Sequence, residues 1–256
     1  MNKWIYLFVA VALWSCTDSK EKLAEKIAAL ETGEVQNAET KKELNALYEQ
    51  YALKYPDDSA SQFYTENAAM YAFLTNDLDR ALKLSENSLN RYKNKDIMPV
   101  IAKIYGLQGK SDSCLAVFEN YAKLDGKKLE FADARIYVDN LTKVLKSKKD
   151  EEISKFVSEK AAFVESQVGV EPLIPLFEMV YNTYPKNEFS PLAMARHAEF
   201  LSEIGNVEQA TAMFQKLIAT YPDTQLAKDA QIMIDNNMIG KTAEEQMQII
   251  MKKKGV

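Results

Sequence analysis

Three ten-residue segments of this chain end alike: LYEQYALKYP at Pro56, LFEMVYNTYP at Pro185 and MFQKLIATYP at Pro222. In each, an aromatic residue (Tyr48, Phe177 or Phe214) precedes the proline by eight positions, and a tyrosine stands directly before it. Eight residues span just over two turns of α-helix, and the residue before a proline is driven out of helical geometry. Each segment therefore marks a packed helix and its exit. A solution used three times constrains the chain to a fold built from repeated helical units. The composition agrees, since eight glycines and seven prolines in 256 residues leave few sharp turns. That scarcity disfavours a many-stranded fold and favours long helices.

The stretch from Glu199 to Pro222 shows the unit most clearly. One helix ends at Ile204, Gly205-Asn206 turns the chain, and a second helix closes at Tyr221-Pro222. In that second helix Val207, Ala210, Met213, Phe214, Leu217, Ile218 and Tyr221 recur at steps of three and four and line one face. One amphipathic hairpin cannot bury such a face alone, so it needs neighbours of the same kind. Comparable turns stand at Thr75-Asn76-Asp77 and Gln108-Gly109-Lys110, each with a residue tolerant of left-handed geometry. Five residues after Asn76, Gly109 and Gly205 come Ala81, Cys114 and Ala210, spaced by 33 and 96 residues.

With these residues in place the chain resembles the tetratricopeptide repeat family, whose helix-turn-helix unit of about 34 residues carries small, aromatic and proline positions in this order. One unit sets Met98, Ile101, Ala102 and Tyr105 before Cys114 and Phe118; another sets Met194, His197, Ala198 and Leu201 before Ala210, Phe214 and Pro222. The unit from Phe63 to Tyr92 departs from the pattern, with Ser85 where an aromatic is expected. The resemblance implies an all-α, tetratricopeptide-like helix-turn-helix solenoid over residues 16–256, clearest at 60–93, 97–126 and 190–222, with capping helices at 224–256. Outside the clear units, a first helix is expected over Lys20 to Glu31, ending near Gly33. Thr40 and Glu43 read as a capping box opening the helix that stops at Pro56. A further helix is expected from Thr224 to Met238, and a Thr242-Glu245 capping box opens a last one carrying Met247, Ile250 and Met251 on one side. About thirteen helices are expected in all; between residues 126 and 190 helices are clear, but their repeat register stays open.

The first sixteen residues differ in kind. Lys3 precedes an apolar run from Trp4 to Leu13, followed at once by Leu13-Trp14-Ser15-Cys16. The run is about half of the roughly 20 residues that cross a bilayer, so it reads as an export signal. Leucine, two residues and cysteine resemble the bacterial lipobox, with Trp14 as a bulky departure where a small residue is usual. The resemblance implies a signal peptide at 1–15 and acylation of Cys16, and hence an outer-membrane lipoprotein of a Gram-negative bacterium facing the periplasm or the cell surface; the other reading is an ordinary secretory signal. Removing Lys3 leaves 31 basic residues against 37 acidic ones, a net charge of −6. That balance argues against nucleic-acid binding, which needs a positive field. Cys114 is then the one thiol left for the folded part, so no intramolecular disulfide forms.

Catalytic chemistry is sparse. Gly109-Lys110-Ser111 looks like the end of a phosphate-binding loop, but Ile104 stands where that loop needs glycine, and no strand precedes it. His197 is the sole histidine and shares a helical face with Met194, Ala198 and Leu201, which suits a packed core residue. Cys114 falls where the repeat family places a small residue, and a buried thiol fits there as a small hydrophobe. No enzyme, cofactor or metal is therefore expected. The resemblance implies instead a lipid-anchored scaffold or adaptor that binds another envelope protein or peptide in a groove lined by first helices. Asn67, Met70, Phe73, Lys103, Arg196 and Glu199 are the candidate groove residues. A glycan- or peptidoglycan-fragment-binding lipoprotein is the second reading and an envelope hydrolase the third.

Overall fold

The computed structural model describes residues 19–33 and 37–254. Cys16 and the apolar run before it lie outside the described residues. Within them are thirteen α-helices, two short 3-10 turns and no strand. Within each of two units most successive helices pack against one another, the arrangement of an all-α helical repeat. No described helix is long and apolar enough to cross a membrane. The chain divides into two compact units, which meet in sequence between Asn94 and Lys95.

The first unit comprises α1 (Lys20–Thr32), α2 (Ala38–Lys54), α3 (Ser61–Leu74) and α4 (Leu78–Arg91). Its core joins Leu23 and Ile27 of α1 to Leu44, Tyr48 and Tyr51 of α2, Ala68 and Ala69 of α3 and Leu84 of α4. The repeated aromatic Tyr48 lies parallel to Tyr64 with ring centroids 4.8 Å apart, and its hydroxyl donates to Glu31 at 2.7 Å. A buried phenol needs such a partner. The helix expected to open at the Thr40-Glu43 box starts earlier. Asn37 is the cap, its Oδ1 accepting the Thr40 N–H at 2.8 Å. The same oxygen accepts the Thr40 hydroxyl at 3.0 Å, so the group read as the capping acceptor is itself donating.

The second unit runs from a 3-10 turn at Lys95–Ile97 through α5 (Met98–Leu107), α6 (Ser111–Lys123), α7 (Phe131–Leu145) and α8 (Asp150–Val168). After a 3-10 turn at Glu171–Leu173 come α9 (Ile174–Thr183), α10 (Ser190–Glu203), α11 (Val207–Thr220), α12 (Gln225–Asp235) and α13 (Ala243–Lys254). Helices two apart also touch: α5 with α7, α7 with α9 and α10 with α12. A continuous core runs from Ala102 to Ala230, with Phe118, Tyr137 and Phe177 among its largest fully buried side chains.

The recurring sequence signals have common structural causes. Asn76, Gly109 and Gly205 all take positive φ, of 61°, 74° and 78°. After each, the next N–H reaches back to a carbonyl of the preceding helix, from Asp77 to Ala72 at 2.8 Å, Lys110 to Tyr105 at 2.9 Å and Asn206 to Leu201 at 2.9 Å. This is the Schellman closure, which satisfies the orphan carbonyls of the first helix while aiming the second back along it. The Tyr-Pro exits share a second device. Ser61 and Ser190 each donate to the carbonyl of the tyrosine, Tyr55 or Tyr184, at 2.6 Å. Asp58 and Asn187 each accept a loop N–H, from Ala60 at 2.9 Å and Phe189 at 3.0 Å. At the third exit Thr224 donates to Tyr221 at 2.8 Å and then caps α12.

The C-terminal end departs from expectation in two places. The helix expected to reach Met238 stops at Asp235, because Asn237 turns to a φ of 51°. Val207 is 46% exposed rather than sharing the buried face of α11. It packs instead beside Gly240, where an added Cβ would lie 2.5 Å from its Cγ2. The Thr242-Glu245 box is present as expected, and the α13 it opens leaves Met247 and Met251 exposed.

Candidate functional site

Helix α3 has an inverted distribution of side chains. Ser61, Thr65, Ala68 and Ala72 fall at i, i+4, i+7 and i+11 and are fully buried. Phe63, Asn67, Met70 and Leu74 repeat the same spacing two residues on, about 200° around the helix at about 100° per residue, so they occupy the opposite face. Small side chains inside let α3 approach α2 and α4 closely. The large apolar ones are left outside: Phe63 is 56%, Met70 39% and Leu74 74% exposed. Asn67 turns its amide onto its own helix and donates to the Phe63 carbonyl at 2.8 Å, so its polar group is satisfied without a partner protein.

Of the residues expected from sequence in this unit, Asn67 and Met70 lie on the outward stripe, whereas Phe73 is half-buried on its flank. Phe63 and Leu74 were missed. The signal for them was present, because four small residues at one helical spacing identify the inner face and thereby the outer one.

In the second unit the expected residues separate into two roles. Lys103 of α5 pairs with Asp133 in the first turn of α7 at 2.7 Å. The Asp133 side chain is only 5% exposed, so this ammonium serves an internal carboxylate. Arg196 of α10 is shared between Glu165 of α8, in close contact, and Glu199 one turn along its own helix at 3.1 Å. Glu199 also borders a cleft of about 330 Å³ enclosed by α10, α11, α12 and the start of α13. Its floor is Ala195, Phe214, Leu226, Ala230 and Met233. Glu199, Glu203, Asp229 and Lys241 supply the charge around it. Asp229 accepts from the Gln225 amide at 2.9 Å.

The residues singled out for chemistry are engaged in packing. Cys114 is fully buried, and burial pushes its thiol up to about 11, with Lys143 opposing, so it is un-ionised at neutral pH. It lies on the seam where Gly106 meets Asn140, and a Cβ on Gly106 would come within 2.8 Å of the Asn140 amide. In the Gly109-Lys110-Ser111 turn, Ser111 donates to Asn140 at 2.9 Å and the Lys110 ammonium lies over the Tyr105 ring at 5.6 Å. Among the described residues no group of three or more His, Cys, Asp or Glu side chains is placed to hold a metal ion.

His197 is buried, and its Nδ1 shares a 3.1 Å hydrogen bond with the Tyr181 hydroxyl. Burial lowers its pKa below the ordinary 6.5; Glu178, 3.9 Å away, opposes this and Lys216 reinforces it. The unfolded chain therefore binds this proton more readily than the folded one. The associated stability is present above pH 6.5 and is lost as pH falls from 6.5 through the folded value. Urea titrations at pH 7.5 and 5.5 are expected to give the lower midpoint at pH 5.5, and His197→Gln is expected to flatten that difference. An equal pH response in both proteins would remove His197 as its source.

Compared with known proteins, the chain matches no family model, and no curated protein matches it in sequence.

Proposed function

We propose that this chain is a tetratricopeptide-like adaptor of the bacterial envelope, anchored in the outer membrane through acylated Cys16, which docks a segment of another envelope protein on the outward face of α3. The observation that carries this reading is the stripe of Phe63, Met70 and Leu74 in solvent on a helix whose inner face is made of serine, threonine and alanine. Apolar area left in water forgoes about 25 cal/mol per Å², which a covering partner recovers. Residues at i, i+7 and i+11 present anchors along one line, the pattern used when a helix or extended segment is laid along another helix. The role is one of recognition, without cofactor or metal.

The test is a pull-down from native membranes after mild crosslinking, comparing wild type, Cys16→Ser and Phe63→Glu combined with Leu74→Glu. Apolar anchors at such a surface are worth about 2 kcal/mol or more each, so partner recovery is expected to fall at least tenfold in the double variant. Leu74→Glu is expected to change stability by less than about 0.5 kcal/mol, whereas Phe63→Glu is expected to cost about 0.5–1.5 kcal/mol, because the Phe63 ring meets Tyr48 and Tyr64. Wild-type recovery by the folded double variant would remove α3 as the docking face. Cys16→Ser is expected to move from the membrane to the soluble fraction; its retention on the membrane would remove the anchor.

A further inference from the structure

The cleft floored by Phe214, Leu226 and Met233 breaks two local rules of helix electrostatics. Glu203 is the last residue of α10, at the end where unsatisfied carbonyls make the helix negative and a base is favoured; that last turn contains no basic residue. Glu199 stands four residues earlier on the same helix, a spacing at which like charges are neighbours, and its carboxylate already holds Arg196 at 3.1 Å. Asp229 of α12 brings a third carboxylate to the same space. Among the described residues Lys241 is the one cation lining it, and Arg196 is held by Glu165 and Glu199. Departures from local preference that cluster around one concave, apolar-floored space mark a place shaped for something other than stability.

We infer that this cleft receives a basic side chain of a partner segment, with an adjoining apolar side chain seated on the Phe214-Leu226-Met233 floor. The inference rests on the adaptor reading for the existence of a protein partner. A lysine or arginine entering here meets Glu203, answers the negative end of α10 and faces Asp229 on α12. An anionic segment would face three carboxylates, and a wholly apolar one would strip water from them without replacing its hydrogen bonds. At about 330 Å³ the space suits one or two side chains of a segment rather than a folded surface.

The test uses the intact protein and a fluorescein-labelled peptide alternating lysine and leucine, followed by anisotropy, beside matched peptides with glutamate for lysine or serine for leucine. Saturable binding of the lysine-leucine peptide is expected, at least tenfold tighter than either control and weakening with added salt. Glu203→Gln combined with Asp229→Asn is expected to weaken it about tenfold. Equal binding of the glutamate peptide, or unchanged affinity in the Glu203→Gln, Asp229→Asn protein, would overturn the assignment. The two readings fail separately. If that cleft variant recovers the membrane partner as wild type does and the peptide series shows no charge preference, the cleft assignment falls and the adaptor stands. If wild type recovers no partner, the adaptor reading falls, and the peptide series alone decides the chemistry of the cleft.

Discussion

Lys103→Met is expected to destabilise the protein by about 3 kcal/mol, toward the lower end of the cost of breaking a buried ion pair from one side. Asp133 stays behind with a side chain only 5% exposed and loses the ammonium 2.7 Å away. Its place in the first turn of α7 moderates the loss, because the positive end of that helix still faces it. Replacing both partners, Lys103→Met with Asp133→Leu, removes the uncompensated charge and is expected to recover most of the stability. A double-mutant cycle by urea denaturation measures the coupling directly. A loss below about 1 kcal/mol in the single variant would mean that water reaches Asp133 and screens it. For binding studies, a weakened partner interaction in any Lys103 variant has to be separated from unfolding first.

Phe118→Ala is expected to cost about 3–5 kcal/mol, the range for deleting a large buried aromatic side chain. Phe118 has no exposed surface and meets the edge of Tyr137 with ring centroids 6.3 Å apart. Tyr137 in turn donates to Glu119 at 2.9 Å, and Glu119 is paired with Lys160 of α8. The cavity would thus open beside a polar chain linking α6, α7 and α8. Phe118→Leu keeps most of the volume and is expected to cost less than the alanine variant. Helix circular dichroism during denaturation and near-ultraviolet tyrosine signals at rest separate a lower midpoint from a loosened native core. A near-wild-type midpoint for Phe118→Ala would show that α6 collapses into the space.

What was legible in the chain was what neighbouring residues decide among themselves. The Schellman turns at Asn76, Gly109 and Gly205 and the exits at Pro56, Pro185 and Pro222 depend on a left-handed residue, a proline and hydrogen bonds within a few positions. Their meaning is therefore written locally. The Thr40 cap was misplaced by three residues because two good acceptors, Asn37 and Thr40, compete there, and no periodicity ranks them. Lys103 read as a surface cation because the contact of α5 with α7, which delivers Asp133 to it, is a matter of how helices two apart register. In α3 the apolar residues run all round the helix, so periodicity alone did not say which face is inside. The answer lay in side-chain size, with alanine and serine turned inward and Phe63 and Leu74 turned out. Glu199 was chosen for its hairpin position, whereas the cleft it borders needed the approach of α12 and the start of α13.

The loops at the Tyr-Pro exits have a consequence for how such a chain changes length. The Ser61 and Ser190 hydroxyls, at the first residues of α3 and α10, reach back to the preceding helix end, and Asp58 and Asn187 accept N–H groups of their own loops. Two ties leave the loop: the Asn187 amide donates to the Asp150 carbonyl of α8 at 2.8 Å, and Asp58 pairs with Lys20 of α1. A join from one exit to another, for instance from Pro56 onto the residues after Pro185, keeps the bonds between the loop and its two flanking helix ends, gives up the ties of Asn187 to Asp150 and Ser154 of α8, and gains or loses whole hairpins between. Duplication and deletion at these points exchange helix faces that must meet afresh, together with the few side-chain ties from loop to neighbouring helix. They are the natural seams for grafting a foreign hairpin into the chain or for trimming it to the smallest array that still folds.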